Sequence, residues 1–138
     1  MSPHTVSLDD LRGRVIGGAV AVHRAVGPGL LESIYRDCLM IELQAAGFQV
    51  EREKSVSLQY RGQKVGTMLR LDLVVENRLV VEVKAVERLH PVHSAQVITY
   101  LKLSGLPGGL LLNFNATSLR AGLKKLVHPD LYTPRDLG

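Results

Sequence analysis

Apolar residues recur at helical spacing near the start of the chain: Val15, Ile16, Ala19, Val22 and Val26 fall near one face, with His23 at its edge. Ser7, three residues before Asp10, resembles a capping box with Asp in place of Glu, so the spacing predicts a helix from about Ser7 to Val26. Gly27-Pro28-Gly29 breaks it. A second helix is predicted from Leu30 to Ala46, with Leu31, Ile34, Cys38, Ile41 and Ala45 as its apolar stripe and Gly47 as its stop. From Gln49 the period drops to two. Val56, Leu58 and Tyr60 alternate with Ser55, Ser57 and Gln59, and Arg61-Gly62 turns the chain into Gln63 to Thr67. Leu69, Leu71, Leu73 and Val75 then alternate with Arg70, Asp72 and Val74, and a second alternating run covers Leu79 to Ala85. These two runs form a hairpin candidate.

Beyond it, Pro91 restarts the chain into a helix from about Val92 to Ser104, stopped by Gly105 with Pro107 behind it. Leu110-Leu111-Leu112 with Asn113-Phe114 is apolar over a strand's length and reads as a strand buried on both faces. A helix links it to the strand before, which is the pattern of a parallel crossover. Ser118 is taken to cap a last helix to about Val127 that carries Arg120, Lys124 and Lys125. The order gives an α/β fold, a mixed sheet flanked by helices, in a single domain over residues 7–127, with 1–6 and 128–138 as tails.

The hairpin register decides the chemistry. With Glu76-Asn77-Arg78 as a three-residue loop, Val75 pairs with Leu79 and Asp72 falls opposite Glu82 on the same face, with Lys84 two residues on. A two-residue loop would set Asp72 against Val83 with the wrong parity. In the first register two carboxylates and an ammonium meet between strands too apolar to be a wet surface. Buried charges are usually paired, metal-bound or neutralised. Carboxylate oxygens suit Mg²⁺ or Mn²⁺, which make hydroxide accessible near neutral pH and polarise a phosphoryl oxygen. A neighbouring ammonium can orient the attacking water or offset charge on the phosphate. The competing account is a surface hairpin with a solvated polar face.

Composition narrows the field only a little. The chain has 138 residues, a net charge of +4 and 4% aromatic residues with no Trp. That size holds one core. The charge is compatible with a polyanionic partner, while so few aromatics argue against a base-stacking platform. Cys38 is the only cysteine, so no intrachain disulfide can form. No long apolar run or signal sequence is visible, and a cytoplasmic location away from membranes is the expectation.

The ordered motifs add a resemblance. Asp72 followed by Glu82-Val83-Lys84 resembles the Asp…(Asp/Glu)-x-Lys signature of the PD-(D/E)XK nuclease superfamily, with Leu71 where a Pro usually precedes the Asp. Gly29-Leu30-Leu31-Glu32-Ser33-Ile34-Tyr35 is similar to the motif that names the GxxExxY family, and Gln96 with Tyr100 matches a Gln-x-x-x-Tyr pattern of exonuclease-like branches. The likeness runs from about Leu11 to Val127 and implies a restriction-endonuclease-like core. It also implies a divalent-metal-dependent nuclease using Mg²⁺ or Mn²⁺. In that scheme Asp72, Glu82 and the Val83 carbonyl hold the metal, Glu32 completes the acidic shell, and Lys84 positions the water. Gln96 and Tyr100 orient phosphate. His23 is either a core histidine bonded to a neighbour or a contact to the metal site or phosphate; Tyr35 is packing or a phosphate contact. For Glu32 the alternative is a carboxylate favoured at a helix start. The implied partner is nucleic acid, DNA ahead of RNA, with a homodimer as a candidate arrangement. The alternative function is a catalytically inactive nuclease-fold module that binds nucleic acid or protein within a larger assembly.

Overall fold

The computed structural model describes residues 6–131. Helix α1 spans Leu8–Val26, with the Ser7 side chain accepting from the Asp10 N–H at 3.1 Å, and stops at Gly27. Helix α2 covers Glu32–Ala45 and helix α3 Pro91–Ser104, ending at Gly105. The strands are β1 (Val50–Val56), β2 (Gln59–Tyr60), β3 (Gln63–Lys64), β4 (Leu69–Val75), β5 (Leu79–Lys84), β6 (Gly108–Asn113) and β7 (Leu123–Val127). Five of them form one sheet in the order β1-β4-β5-β6-β7, and β2 with β3 makes a separate small hairpin. β5 and β6 are parallel, joined through α3, and the other neighbours are antiparallel.

Helices cover both faces of the sheet. Leu73, Val75, Val81, Val83, Leu110 and Leu112 pack with α1 and α2 on one side, and Val74 and Val80 pack with Leu101 of α3 on the other. The alternation of each strand therefore feeds two cores, which gives a helix–sheet–helix sandwich. β6 passes beneath helices on both sides: a Cβ on Gly108 would lie 2.9 Å from Leu8, and one on Gly109 2.8 Å from Val97. Among the described residues no helix is long and apolar enough to cross a membrane.

Three expectations are corrected. The buried face of α2 is Tyr35, Leu39 and Leu43, whereas Leu31 (71% exposed), Ile34 and Ile41 (66%) face outward. Apolar residues on this helix cover more than one face, so spacing alone does not choose between them; Phe114, stacked on the Tyr35 ring at 4.7 Å, marks the side that the core takes. On α1, Val26 is likewise exposed, since the helix has run past the sheet by its last residue. The last helix is a single 3-10 turn, Leu119–Gly122, followed by β7. There the unpaired backbone edge of β6 outweighs local helix preference, because Leu123–Val127 supplies its hydrogen-bond partners. Gly122 allows the entry: a Cβ there would sit 2.7 Å from the Asn113 carbonyl oxygen.

Residues at both ends of the described chain pack onto the sheet and its helices. Val6 is in the core and its carbonyl accepts from Arg78, while His128 is buried and its N–H donates to the Pro107 carbonyl at 2.8 Å. The ordered unit thus includes positions expected in the tails. The tail expected for Met1 to Thr5 and for residues 132–138 lies outside the described residues.

Tyr35 is fully buried, and its hydroxyl donates to the Gly27 carbonyl at 2.6 Å and accepts from the Leu30 N–H at 3.0 Å. Of its two suggested roles, packing matches this position. Tyr35→Phe leaves two loop groups without their partner and is expected to cost about 1–3 kcal/mol. Urea denaturation of both proteins checks this, and an unchanged midpoint would show the hydroxyl to be dispensable.

Candidate active site

The register of β4 against β5 runs Val75↔Leu79, Val74↔Val80, Leu73↔Val81, so the hairpin loop is the three residues Glu76 to Arg78. Glu76 and Asn77 adopt φ of 54° and 53°, and the Arg78 N–H closes the loop on the Val75 carbonyl at 3.1 Å. One step further, Asp72 faces Glu82. There the ladder changes character. The Asp72 N–H donates to Glu82 Oε1 at 3.1 Å, and the Val83 N–H donates to Asp72 Oδ2 at 2.8 Å. Side-chain carboxylates replace the main-chain acceptors of the opposite strand. Beyond this point β4 continues with β1 to Val56↔Leu69, while β5 continues with β6 to Lys84↔Asn113. The sheet forks, and the two acids stand in the fork.

Glu82 is 5% exposed and Asp72 half-buried. Burial first, and then the negative charge of Asp72, pushes the Glu82 carboxyl up to about 8, with the Lys84 ammonium pulling the other way. Lys84 is half-buried at the end of β5 and forms no ion pair among the described residues. From α3, Tyr100 packs against the smaller core beside Val74 and Val80. Burial first, and then the charges of Glu82 and Asp72, raise its hydroxyl above the ordinary value. Gln96 lies one turn earlier on α3 and is exposed.

Two residues not singled out from the sequence belong to this site. Arg36 of α2 lies 3.5 Å from Asp72 Oδ1 and 3.5 Å from Glu53. Its position directly after Tyr35 was the available signal, because the residue beside a buried aromatic on a helix borders the core. Asn113 is 4% exposed at the end of β6. Its amide oxygen accepts from the Val86 N–H at 3.0 Å and its NH₂ donates to the Val86 carbonyl at 2.8 Å, clamping the chain just past Lys84. A polar residue closing the apolar run Leu110–Leu112 was the hint, since a buried amide must find partners.

Other expected members stand apart. Glu32 is exposed in the first turn of α2, and among the described residues no three acids, histidines or cysteines assemble into a metal-holding group. Glu32 therefore does not join Asp72 and Glu82; Arg36, one turn along the same helix, is the side chain that meets Asp72. His23 Nε2 lies 2.8 Å from the Ala116 carbonyl, so it is bonded to a neighbour and not to the acids.

A match to the family model covers residues 9–126 and is that of the PD-(D/E)XK nuclease superfamily. The chain belongs to this superfamily. No curated protein and no solved structure matches it significantly. Nucleases of the superfamily typically use divalent metals, and the forked strands with Asp72, Glu82 and Lys84 carry its signature residues in order. The donor set fits such an ion. Asp72 and Glu82 offer hard oxygens, and the Val83 carbonyl lies on the same edge of β5 as the N–H that Asp72 accepts. Mg²⁺ is commonly held by only one or two carboxylates, with water and substrate filling the rest. Ionising both acids in so buried a place calls for a compensating cation.

The raised Glu82 carboxyl has a consequence for the metal-free protein. Between the ordinary value of 4.5 and about 8, the folded chain holds a proton at Glu82 that the unfolded chain has lost. Stability from this group is therefore full below about pH 4.5 and falls as pH rises toward 8. In chelator, the stability difference between wild type and Glu82→Gln should decline across that window in urea denaturation. A difference that does not vary with pH would contradict the buried, proton-holding Glu82.

Proposed function

We propose that the protein is a divalent-metal-dependent nuclease that hydrolyses phosphodiester bonds of nucleic acid, DNA ahead of RNA, at the fork between β4 and β5. The observation that carries the proposal is the exchange of carboxylates across the fork, with Lys84 two residues beyond Glu82. Asp72, Glu82 and the Val83 carbonyl would hold Mg²⁺ or Mn²⁺, and the bound ion would supply charge neutralisation and polarise the phosphoryl oxygen. Lys84, the cation at this site without a fixed carboxylate partner, orients the attacking water or offsets charge on the phosphate. Tyr100 and Gln96, four apart on α3, contact the phosphate from one side. Arg36 balances Asp72 in the metal-free protein, and a bound divalent cation would supply that charge balance in its place. Within the superfamily, the Gly29 to Tyr35 motif assigns the chain to the GxxExxY family, with Tyr35 as an anchor of the motif loop.

A second reading has its own support. Arg36 already balances Asp72, and no third acid joins the pair among the described residues. This arrangement suits a module that keeps the fold and binds nucleic acid or protein without cutting. Metal binding separates the two. Mg²⁺ or Mn²⁺ at a hundredfold excess over Kd should stabilise the native state by about 2.7 kcal/mol. The gain in melting temperature should vanish in Asp72→Asn and Glu82→Gln. No shift at saturating metal favours the binding module.

Lys84→Met tests the chemistry separately from the architecture, because it keeps the aliphatic stem and leaves the carboxylates in place. Metal affinity should stay near wild type while single-turnover cleavage of labelled DNA or RNA slows by roughly 10²-fold or more. Equal rates would remove Lys84 from catalysis. Absence of cleavage by the wild type on every substrate would leave the binding module as the better account.

A further inference from the structure

We propose that the cavity of about 220 Å³ lined by His23, Arg24, Thr117, Ser118 and Arg120 is a phosphate-binding pocket that seats a backbone phosphate of the substrate strand away from the scissile bond. The phosphate chemistry stands on the pocket itself; its source as a nucleic-acid backbone rests on the nuclease function proposed above. Apart from Val20 and Leu119 the lining is cationic and hydroxylic, and it contains no carboxylate. Arg24 and Arg120 are both exposed, and neither forms an ion pair among the described residues. Two guanidinium groups without a balancing acid are the planar donors that match phosphate oxygens two at a time, and Thr117 and Ser118 add hydroxyl donors.

The two segments that line the pocket are tied to each other. Arg24 lies on the last turn of α1, whereas Thr117, Ser118 and Arg120 lie on the segment that leaves β6. His23 joins the two segments. A carbonyl can only accept, so Nε2 is the protonated nitrogen in its 2.8 Å bond to Ala116, and Nδ1 is left with its lone pair or a second proton for a ligand. Behind it the ring stands 6.4 Å from Phe114, which is stacked on the buried Tyr35. Groups held in place before binding lose less freedom when a ligand arrives. The volume lies below the roughly 300–1,000 Å³ of pockets that enclose drug-sized ligands, which favours a phosphate over a whole nucleotide.

Position ties the pocket to the fork. Thr117 follows Asn113 by four residues, a span of at most about 14 Å of extended chain, and Asn113 is the register partner of Lys84. The backbone that carries Thr117 and Ser118 thus starts from the end of the sheet where Lys84 stands.

The test uses the full chain and the double variant Arg24→Gln with Arg120→Gln, whose altered side chains are exposed, after equal melting temperatures have been confirmed. Anisotropy of labelled single- and double-stranded DNA, with and without a 5′-phosphate and in chelator, is followed across a salt series. The variant should bind about tenfold more weakly at low salt, and its log–log salt slope should fall by about 0.7–0.9 for each phosphate it no longer neutralises. Weakening confined to the 5′-phosphorylated DNA identifies a terminal phosphate, and weakening on all DNA an internal one. A second arm titrates inorganic phosphate and follows the His23 ring and the Thr117 and Ser118 amides by NMR. Phosphate that moves these signals in the wild type but not the variant, in a protein that binds no nucleic acid, supports the pocket and overturns its nucleic-acid source. Unchanged affinity and slope in the variant, with no shift by phosphate, overturn the pocket and leave the fork chemistry untouched.

Discussion

The exchange between Asp72 and Glu82 is the constraint on which the rest of the site depends. Each carboxylate accepts a main-chain N–H from the opposite strand, so each acid does the work of a backbone carbonyl at the place where the sheet divides. The two halves, β1 with β4 and β5 with β6, can separate there without leaving those donors unsatisfied. The result is a division of the sheet between β4 and β5 with two acids set on the strands at its start. Precise placement of charge is easier on strands than on loops. Helices α1 and α2 hold one face of the fork, α3 the other, and the Asn113 clamp on Val86 fixes the chain beyond Lys84.

The cost of this arrangement is concentrated in Glu82. It sits 5% exposed beside another acid, with only a modest opposing influence from Lys84, and holds its proton to about pH 8. Arg36 reduces the conflict on the Asp72 side and is itself shared with Glu53. A folded domain that carries such a pair is using stability to keep two oxygen donors together in a dry place. The local conflict lies in the same few residues as the superfamily's signature, as is common where function overrides stability.

Much of this was legible from spacing. Alternation gave the two hairpin strands and left a three-residue or a two-residue loop between them; the structure takes the three-residue loop, which sets Asp72 against Glu82. The parallel β5–α3–β6 unit followed from a strand, a capped helix and an apolar run in order. Other features were not local. The buried face of α2 depends on Phe114, far along the chain, and β7 becomes a strand because β6 has an open edge, not because Leu123–Val127 prefers to extend. The motif's Glu32 drew attention to the start of α2, yet Arg36 reaches the acids, since the Tyr35 anchor sets which turn of the helix approaches the fork. A single chain read by period and motif has no term for such distant partners.

The open edges of the sheet bear on how copies of this protein can meet. On β7, Lys124 and Lys125 are adjacent and exposed, so a second sheet laid against that edge would bring lysines together. On β1, Glu53 bends the strand with a φ of 52°, and Arg52 is paired with Asp37 on α2 at 3.0 Å, which covers that edge with charge. Neither edge offers the long, flat, neutral ribbon that lets strands add one after another. A second sheet added at either edge would meet these charges before its backbone could pair, so both edges of the five-stranded sheet are guarded against strand addition.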